Sequence, residues 1–212
     1  MPRTEENTVR RTEAEERRGK SPAAQRVLEA ASELFYERGI WATGVDTIVE
    51  HSGVTKMTLY KHFGSKDELV AAYLRRRDEL WRRWLTEAVE QGADSPRERL
   101  LAVFDALGGW LEGEVEGFRG CAFVNAATEI AAPDHPARAV ALEQKRWMRE
   151  YLEELASDAG ATDPEGLAEQ LLILFEGATV TTTLQASKAP THGAKVAAAT
   201  LIDGDVHNED RN

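Results

Sequence analysis

The sequence predicts an all-α protein of about nine helices, a three-helix N-terminal head followed by a longer helical body. Apolar residues recur at helical spacing in segment after segment, and none alternates convincingly with period two. Cap-plus-proline starts punctuate the chain at Ser21-Pro22, Ser95-Pro96 and Asp163-Pro164. With 212 residues and 42% hydrophobic composition, the chain can bury a real core in one domain or two small ones.

Residues 1–20 form a mixed-charge arm of low hydrophobicity, expected to be flexible on its own. Its Arg10-Arg11 and Arg17-Arg18 pairs could reach nucleic acid, although a solvated tail is the plainer reading. The head spans 21–66. Its first helix starts at Ser21-Pro22, buries Val27, Ala31, Leu34 and Phe35, and stops at Gly39. Residues 43–66, TGVDTIVEHSGVTKMTLYKHFGSK, then read as a helix-turn-helix. Thr43 or Gly44 caps a short helix with Asp46 in its first turn, where a carboxylate suits the helix dipole. Val45, Ile48 and Val49 form its apolar stripe. Gly53 supplies the left-handed backbone of the turn and Val54 fills the angle between the helices. The second helix, Thr55 to about His62, buries Leu59. It offers Thr55, Lys56, Met57, Thr58, Tyr60 and Lys61 outward, a set that a major groove accepts.

The body spans 67–203 and the acidic tail 204–212. Ser65 and Glu68 read as a capping box that opens a long helix through Leu69, Tyr73, Leu80, Trp84 and Ala88 to about Gly92. This helix is expected to be the covalent bridge between head and body. Ser95 to Glu98 caps a helix with Leu100, Val103, Phe104, Leu107 and Leu111, followed by a glycine-rich break from Gly113 to Gly120. A shorter helix covers Cys121 to about Ala132, closed by Pro133-Asp134-His135-Pro136. The next runs from Pro136 to about Ala159 on Val140, Trp147, Tyr151 and Leu155. After Asp163-Pro164 comes a helix on Leu167, Leu171, Leu174, Phe175 and Ala178, then a last one from about His192 to Ile202. The final two are rich in small residues, which lets helices approach closely, either within one monomer or across a dimer interface.

The 43–66 stretch resembles the DNA-binding domain of the tetracycline-repressor (TetR) family. The matching residues are Gly39, Thr43, Val45, Ile48, Gly53, Val54, Thr55, Leu59, Tyr60, His62, Phe63, Lys66 and Leu69, without a gap. Met57 departs from a position usually small in that family, as do Val49 and Ser52. The resemblance implies a DNA-binding transcriptional regulator, most simply a repressor on an inverted-repeat operator in double-stranded DNA. It implies a homodimer through the last two long helices and a small-molecule effector held in the body. A dimer also follows from the short reading helix, which alone covers too few base pairs for useful specificity. An activator that needs no effector, or a helical enzyme or lipid carrier using the body cavity, are the alternatives.

Under that resemblance, Thr43, Tyr60, His62 and Lys66 are the expected phosphate contacts, and Lys56, Met57, Thr58 and Lys61 the expected base-edge contacts, with Thr55 opening the helix. Trp81, Trp84, Trp110 and Trp147, with Phe104, Phe118, Phe123 and Phe175, gather in the body. The expected effector-lining residues are Trp84, Phe104, Trp110, Phe123, Trp147 and Phe175, with Asn125 and Glu129, four apart on one helix face, as polar anchors. Each also has a plain reading as core or as a buried hydrogen-bond partner.

The net charge of −11 is unevenly spread. Residues 1–66 hold 11 basic and 10 acidic residues, a net of +1, and the rest 15 and 27, a net of −12, so the acidity lies away from the reading helix. One cysteine, Cys121, excludes an internal disulfide framework, and the five histidines show no metal-ligand spacing. No catalytic motif is recognisable, so neither an enzyme nor a cofactor is expected. A charged N-terminus and the lack of an apolar run of about eighteen residues predict a cytoplasmic protein without a membrane partner.

Overall fold

The computed structural model describes residues 21–113, 119–185, 187 and 189–206, with side chains omitted at 111–113. The arm with its arginine pairs, the Leu111 side chain, Phe118, most of the glycine-rich break and the tail beyond 206 lie outside the described residues. Those described form nine helices and no named strand: α1 (Pro22–Arg38), α2 (Val45–Ser52), α3 (Lys56–Phe63), α4 (Lys66–Gly92), α5 (Pro96–Gly113), α6 (Ala122–Glu129), α7 (Pro136–Asp158), α8 (Pro164–Gln185) and α9 (Ala189–Asp205).

They divide into two compact units. One contains the described residues of 21–76 together with 126–140, the other those of 77–125 together with 141–206. The chain therefore crosses between units within α4, within α6 and within α7. The sequence reading had α4 as the one bridge, because nothing local marks 126–140 as belonging with the head.

In the first unit α1, α2 and α3 pack on one another. Val27, Leu34, Ile48, Leu59, Leu69 and Leu74 are all but inaccessible. The helix starts are chemical. Ser21 Oγ accepts from the Ala24 amide at 3.0 Å, with Pro22 in the first turn where no N–H is needed. Gly53, at φ 63°, takes the left-handed step between α2 and α3. The box at Ser65 is only half made. Its hydroxyl accepts from the Glu68 amide, but its own N–H is already spent on the Phe63 carbonyl at 2.9 Å.

In the second unit α9 packs against α8 and α5. Arg97 on α5 makes a two-pronged pair with Asp203 on α9, at 2.6 and 2.9 Å, and Lys195 on α9 meets Asp105 on α5 at 2.6 Å. The buried stripe of α4 here is Trp81, Leu85 and Val89, one step on from the Leu80, Trp84, Ala88 phase expected from sequence; Leu80 and Trp84 are exposed. In α7 the buried stripe is Ala137, Ala141, Gln144, Met148, Leu152 and Leu155, and Trp147 and Tyr151 are only half-buried, their rings stacked 5.2 Å apart. Arg82 lies over the Trp147 ring at 4.6 Å. Burial pushes the Tyr151 phenol up to about 12.

The capping box at Ser95 is complete: the Asp94 and Ser95 amides donate to the Glu98 carboxylate, and the Glu98 amide donates to Ser95 Oγ. Hydrogen bonds from Ser95 and these amides hold the Glu98 carboxyl below its ordinary value, and Arg97 does the same for Asp203. Folded values lower than unfolded ones mean a contribution present above about pH 4 and lost as pH falls through the folded values. Thermal unfolding followed from about pH 5 to 3 should therefore lose less stability in the Glu98→Gln, Asp203→Asn double variant than in the parent. Equal acid losses would contradict these two assignments.

Candidate nucleic-acid interface and internal cavity

The outer face of α3 stands clear of the first unit. Thr55, the cap, holds the Thr58 amide through its hydroxyl. Leu59 and Phe63 pin the inner face, at 0% and 9% exposure. Met57 is 80% exposed and Tyr60 41%, and Thr55, Lys56 and Lys61 are exposed as well; Thr58 is half-buried. Lys56 is not loose. Its ammonium donates to Asp46 at 2.8 Å, and that bond raises its pKa. Asp46 sits in the first turn of α2, so the two helices of the motif share a surface ion pair. His62 lies inward enough for Nε2 to reach Ser21 Oγ at 3.2 Å, tying α3 to the start of α1.

The α1–α2 connection is held by a residue far off in sequence. The Trp41 backbone N–H donates to the Glu129 carboxylate at 3.0 Å, and the indole N–H donates to the Glu129 carbonyl. Gly39, at φ 94°, lies so close that an added Cβ would stand 3.2 Å from a Glu129 carboxylate oxygen. Lys66 Nζ donates to the Ile40 carbonyl at 2.6 Å, and burial lowers its pKa.

The second unit contains a part-open cavity of about 60 Å³. Its apolar walls are Trp81, Leu107, Trp110, Ala122, Phe123 and Phe175, completed by Arg77, Gly120, Cys121, Gln144 and Thr179. Trp81 stands edge-on to Trp110, centroids 5.3 Å apart, and tilts against Phe175 at 5.9 Å. Thr179 donates its hydroxyl to the Phe175 carbonyl at 2.9 Å. Lys145 donates to Cys121 Sγ at 3.5 Å and pairs with Glu176, and its pKa is raised because those partners outweigh the cost of burial. Gln144 is 4% exposed, and its Oε1 has no hydrogen-bond partner. Among the described residues no group of His, Cys, Asp and Glu could hold a metal, and no helix is long and apolar enough to cross a membrane.

Known proteins give this geometry a lineage. Residues 27–73 match the family model described as bacterial regulatory proteins of the tetR family, and residues 96–198 match the tetracyclin repressor-like C-terminal domain. The transcriptional regulator AcuR of Cereibacter sphaeroides is 30% identical over 184 residues, covering 81% of each chain. The chain belongs to the TetR family. It is a DNA-binding transcriptional regulator, of a family whose members usually dimerise and respond to small molecules. The HTH-type transcriptional activator FasR of Mycolicibacterium smegmatis is 38% identical over 105 residues, half of this chain and 45% of that one, so the match spans less than half of that relative. A crystal structure of a TetR-family regulator from Streptomyces coelicolor superposes with a TM-score of 0.78 at 29% identity, covering 87% of this chain and 96% of that one.

Several residues read from sequence as TetR site residues have other work. Thr43 is fully buried and donates its hydroxyl to the Gly39 and Leu34 carbonyls, so that hydroxyl is not offered to a phosphate. Lys66 gives one of its three ammonium N–H groups to the Ile40 carbonyl. Glu129 is the clamp on Trp41 and does not line the cavity; Asn125 donates to the Arg119 carbonyl, also off the wall. Trp84 donates to the Ala106 carbonyl, Phe104 is core at 1% exposure against Phe175, and Trp147 stacks on Tyr151. None of the three touches the cavity, whereas Trp110, Phe123 and Phe175 do. Arg77, Trp81, Leu107, Gly120, Cys121, Ala122, Gln144 and Thr179 line the cavity without being among the lining residues expected from sequence. Gln144 left a signal, being the one polar residue in the buried stripe of α7.

Proposed function

We propose that the chain is a homodimeric repressor whose two α3 helices read an inverted-repeat operator and which a small effector in the second unit's cavity releases. The observation that carries the reading is the presence, in one chain, of an exposed reading helix and an aromatic cavity with an unmet polar group. Two α3 helices would enter successive major grooves about 34–36 Å apart. Thr55, Lys56, Met57, Tyr60 and Lys61, with the half-buried Thr58, form the contact face, Tyr60 holding phosphate and Lys56, Met57, Thr58 and Lys61 meeting base edges.

Dimerisation is supported by a stripe on the outside of the last two helices. Ile173, Gly177, Val180 and Leu184 follow one another at helical spacing on α8, and Gly193, Val196 and Thr200 do so on α9, all exposed. Apolar and small residues in a row facing water are what a close helix–helix contact covers.

Release needs a ligand that prefers the DNA-incompetent arrangement, because equal affinity for both states shifts nothing. Three helices, α4, α6 and α7, run through both units and can carry that preference. α6 is the candidate with a residue at each end of the route: it starts with the cavity residues Ala122 and Phe123 and ends at Glu129, which clamps Trp41. Glu129→Ala should therefore reduce the effect of ligand on DNA affinity while leaving ligand affinity without DNA unchanged, as read by titration with and without operator. Unchanged coupling would remove α6 from the route.

The reading is tested by selecting bound DNA from a random pool, followed by footprinting. The expected product is a palindrome bound in the nanomolar range, weakening steeply with salt as phosphate contacts release counterions. A pool without an enriched palindrome contradicts it. On the selected site, Tyr60→Ala should weaken specific and random duplexes alike. Lys56→Ala should lower the specific-to-random ratio, a well-made base contact being worth about 1–3 kcal/mol. Reversed behaviour of the pair would reverse the two roles.

A further inference from the structure

We infer that the cavity takes a small, flat, uncharged aromatic molecule that donates one hydrogen bond to Gln144 Oε1, such as a phenol or an N–H heterocycle. This deepens the proposed effector site and rests on that reading.

A buried amide oxygen without a partner is costly, and few native side chains are left so. Gln144 sits mid-helix in α7, in a stripe otherwise apolar, with its side chain on the cavity wall. The other polar groups there have partners: Thr179 donates to the Phe175 carbonyl, and Cys121 receives from Lys145, itself neutralised by Glu176. The unmet group is an acceptor, so the complementary ligand brings a donor. A carboxylate would set oxygen against oxygen at Gln144. A cation would meet the Arg77 guanidinium, which lies 5.9 Å from the Trp110 ring centroid on the same wall. That leaves a neutral donor. The rest of the wall is aromatic, with Trp81, Trp110, Phe123 and Phe175 offering ring faces and edges to a small flat partner in a cavity that is part-open.

The test uses the full chain without DNA and four probes: phenol, anisole, toluene and benzoate. Cys121 is the chain's single cysteine and lines the cavity, so slowing of its alkylation by iodoacetamide reports occupancy at this place, and tryptophan fluorescence gives the affinity. Phenol should slow alkylation and bind at least about tenfold more tightly than anisole or toluene, the worth of one buried hydrogen bond. Gln144→Met keeps the volume and removes the acceptor. It should melt no lower than the parent, since an unmet polar group has gone, and should bind phenol and anisole equally. Gln144→Leu provides a second apolar version.

Equal binding of phenol and anisole to the parent overturns the inference. So does a phenol preference that survives both variants, or protection of Cys121 by none of the probes. Tightest binding by benzoate overturns it in favour of Arg77 as the anchor. Operator DNA takes no part in these titrations, so failure here leaves the DNA-binding reading standing. Failure of the random-pool selection would sink that reading without altering these affinities.

Discussion

Replacing Ile173 and Leu184 together by glutamate is expected to turn the protein into a monomer and weaken operator binding by about 10²–10⁴-fold. Ile173 is 71% exposed and Leu184 81%, so the substitutions cost little inside one chain. Across a two-fold interface along this stripe each carboxylate would be buried against its own copy or against apolar partners. One α3 then binds alone, and the gain from a second tethered contact is lost. Sedimentation shows the mass, and circular dichroism should show unchanged helix content. A variant that stays dimeric would place the interface elsewhere. A monomer with undiminished operator affinity would contradict the two-head account.

Leu59→Ala should cost about 2–5 kcal/mol, the range for truncating a fully buried leucine, and should abolish DNA binding. Leu59 is 0% exposed and, with Phe63, fixes which face of α3 points outward. An eight-residue helix has no stability of its own, so losing this anchor frees it to rotate or fray. The cavity lies wholly in the other unit, so Cys121 protection by phenol should persist in this variant. Thermal unfolding, duplex titration and alkylation rates read the three quantities separately. Intact duplex binding would mean that α3 is not the reading helix.

Local chemistry was legible in the sequence. Ser21-Pro22, Gly53 and the Ser95–Glu98 box each work within four residues, so their spacing carries the whole message. Helical period gave the core faces of α1, α5 and α8, but it slipped one step along α4. There the aromatic Trp84 looked like core, while Trp81 and Leu85 are the buried residues. Aromatic content gave a cavity in the right region without direction. Trp84, Phe104 and Trp147 pack elsewhere because the number of rings does not say which way each ring faces.

Hardest to foresee was the placement of Glu129. Its bonds to Trp41 span 88 residues and involve backbone groups, which leave no periodic trace. Thr43 and Lys66 show the same limit. Both fit the family pattern, and both are used to hold the α1–α2 connection together. Gln144 could have been read: a glutamine at a position where the helix otherwise buries Ala, Met and Leu announces a polar group in the core.

The central claim is that cavity and DNA are coupled, and linkage tests it most directly. Titrating phenol into the protein alone and into its complex with the selected operator gives two affinities. Titrating operator with and without phenol gives the other two. The account predicts that phenol binds the DNA complex more weakly, typically by 5–150-fold, and that phenol weakens DNA by the same factor, since the coupling is reciprocal. Equal phenol affinity in the presence and absence of operator would contradict it, however tightly phenol bound.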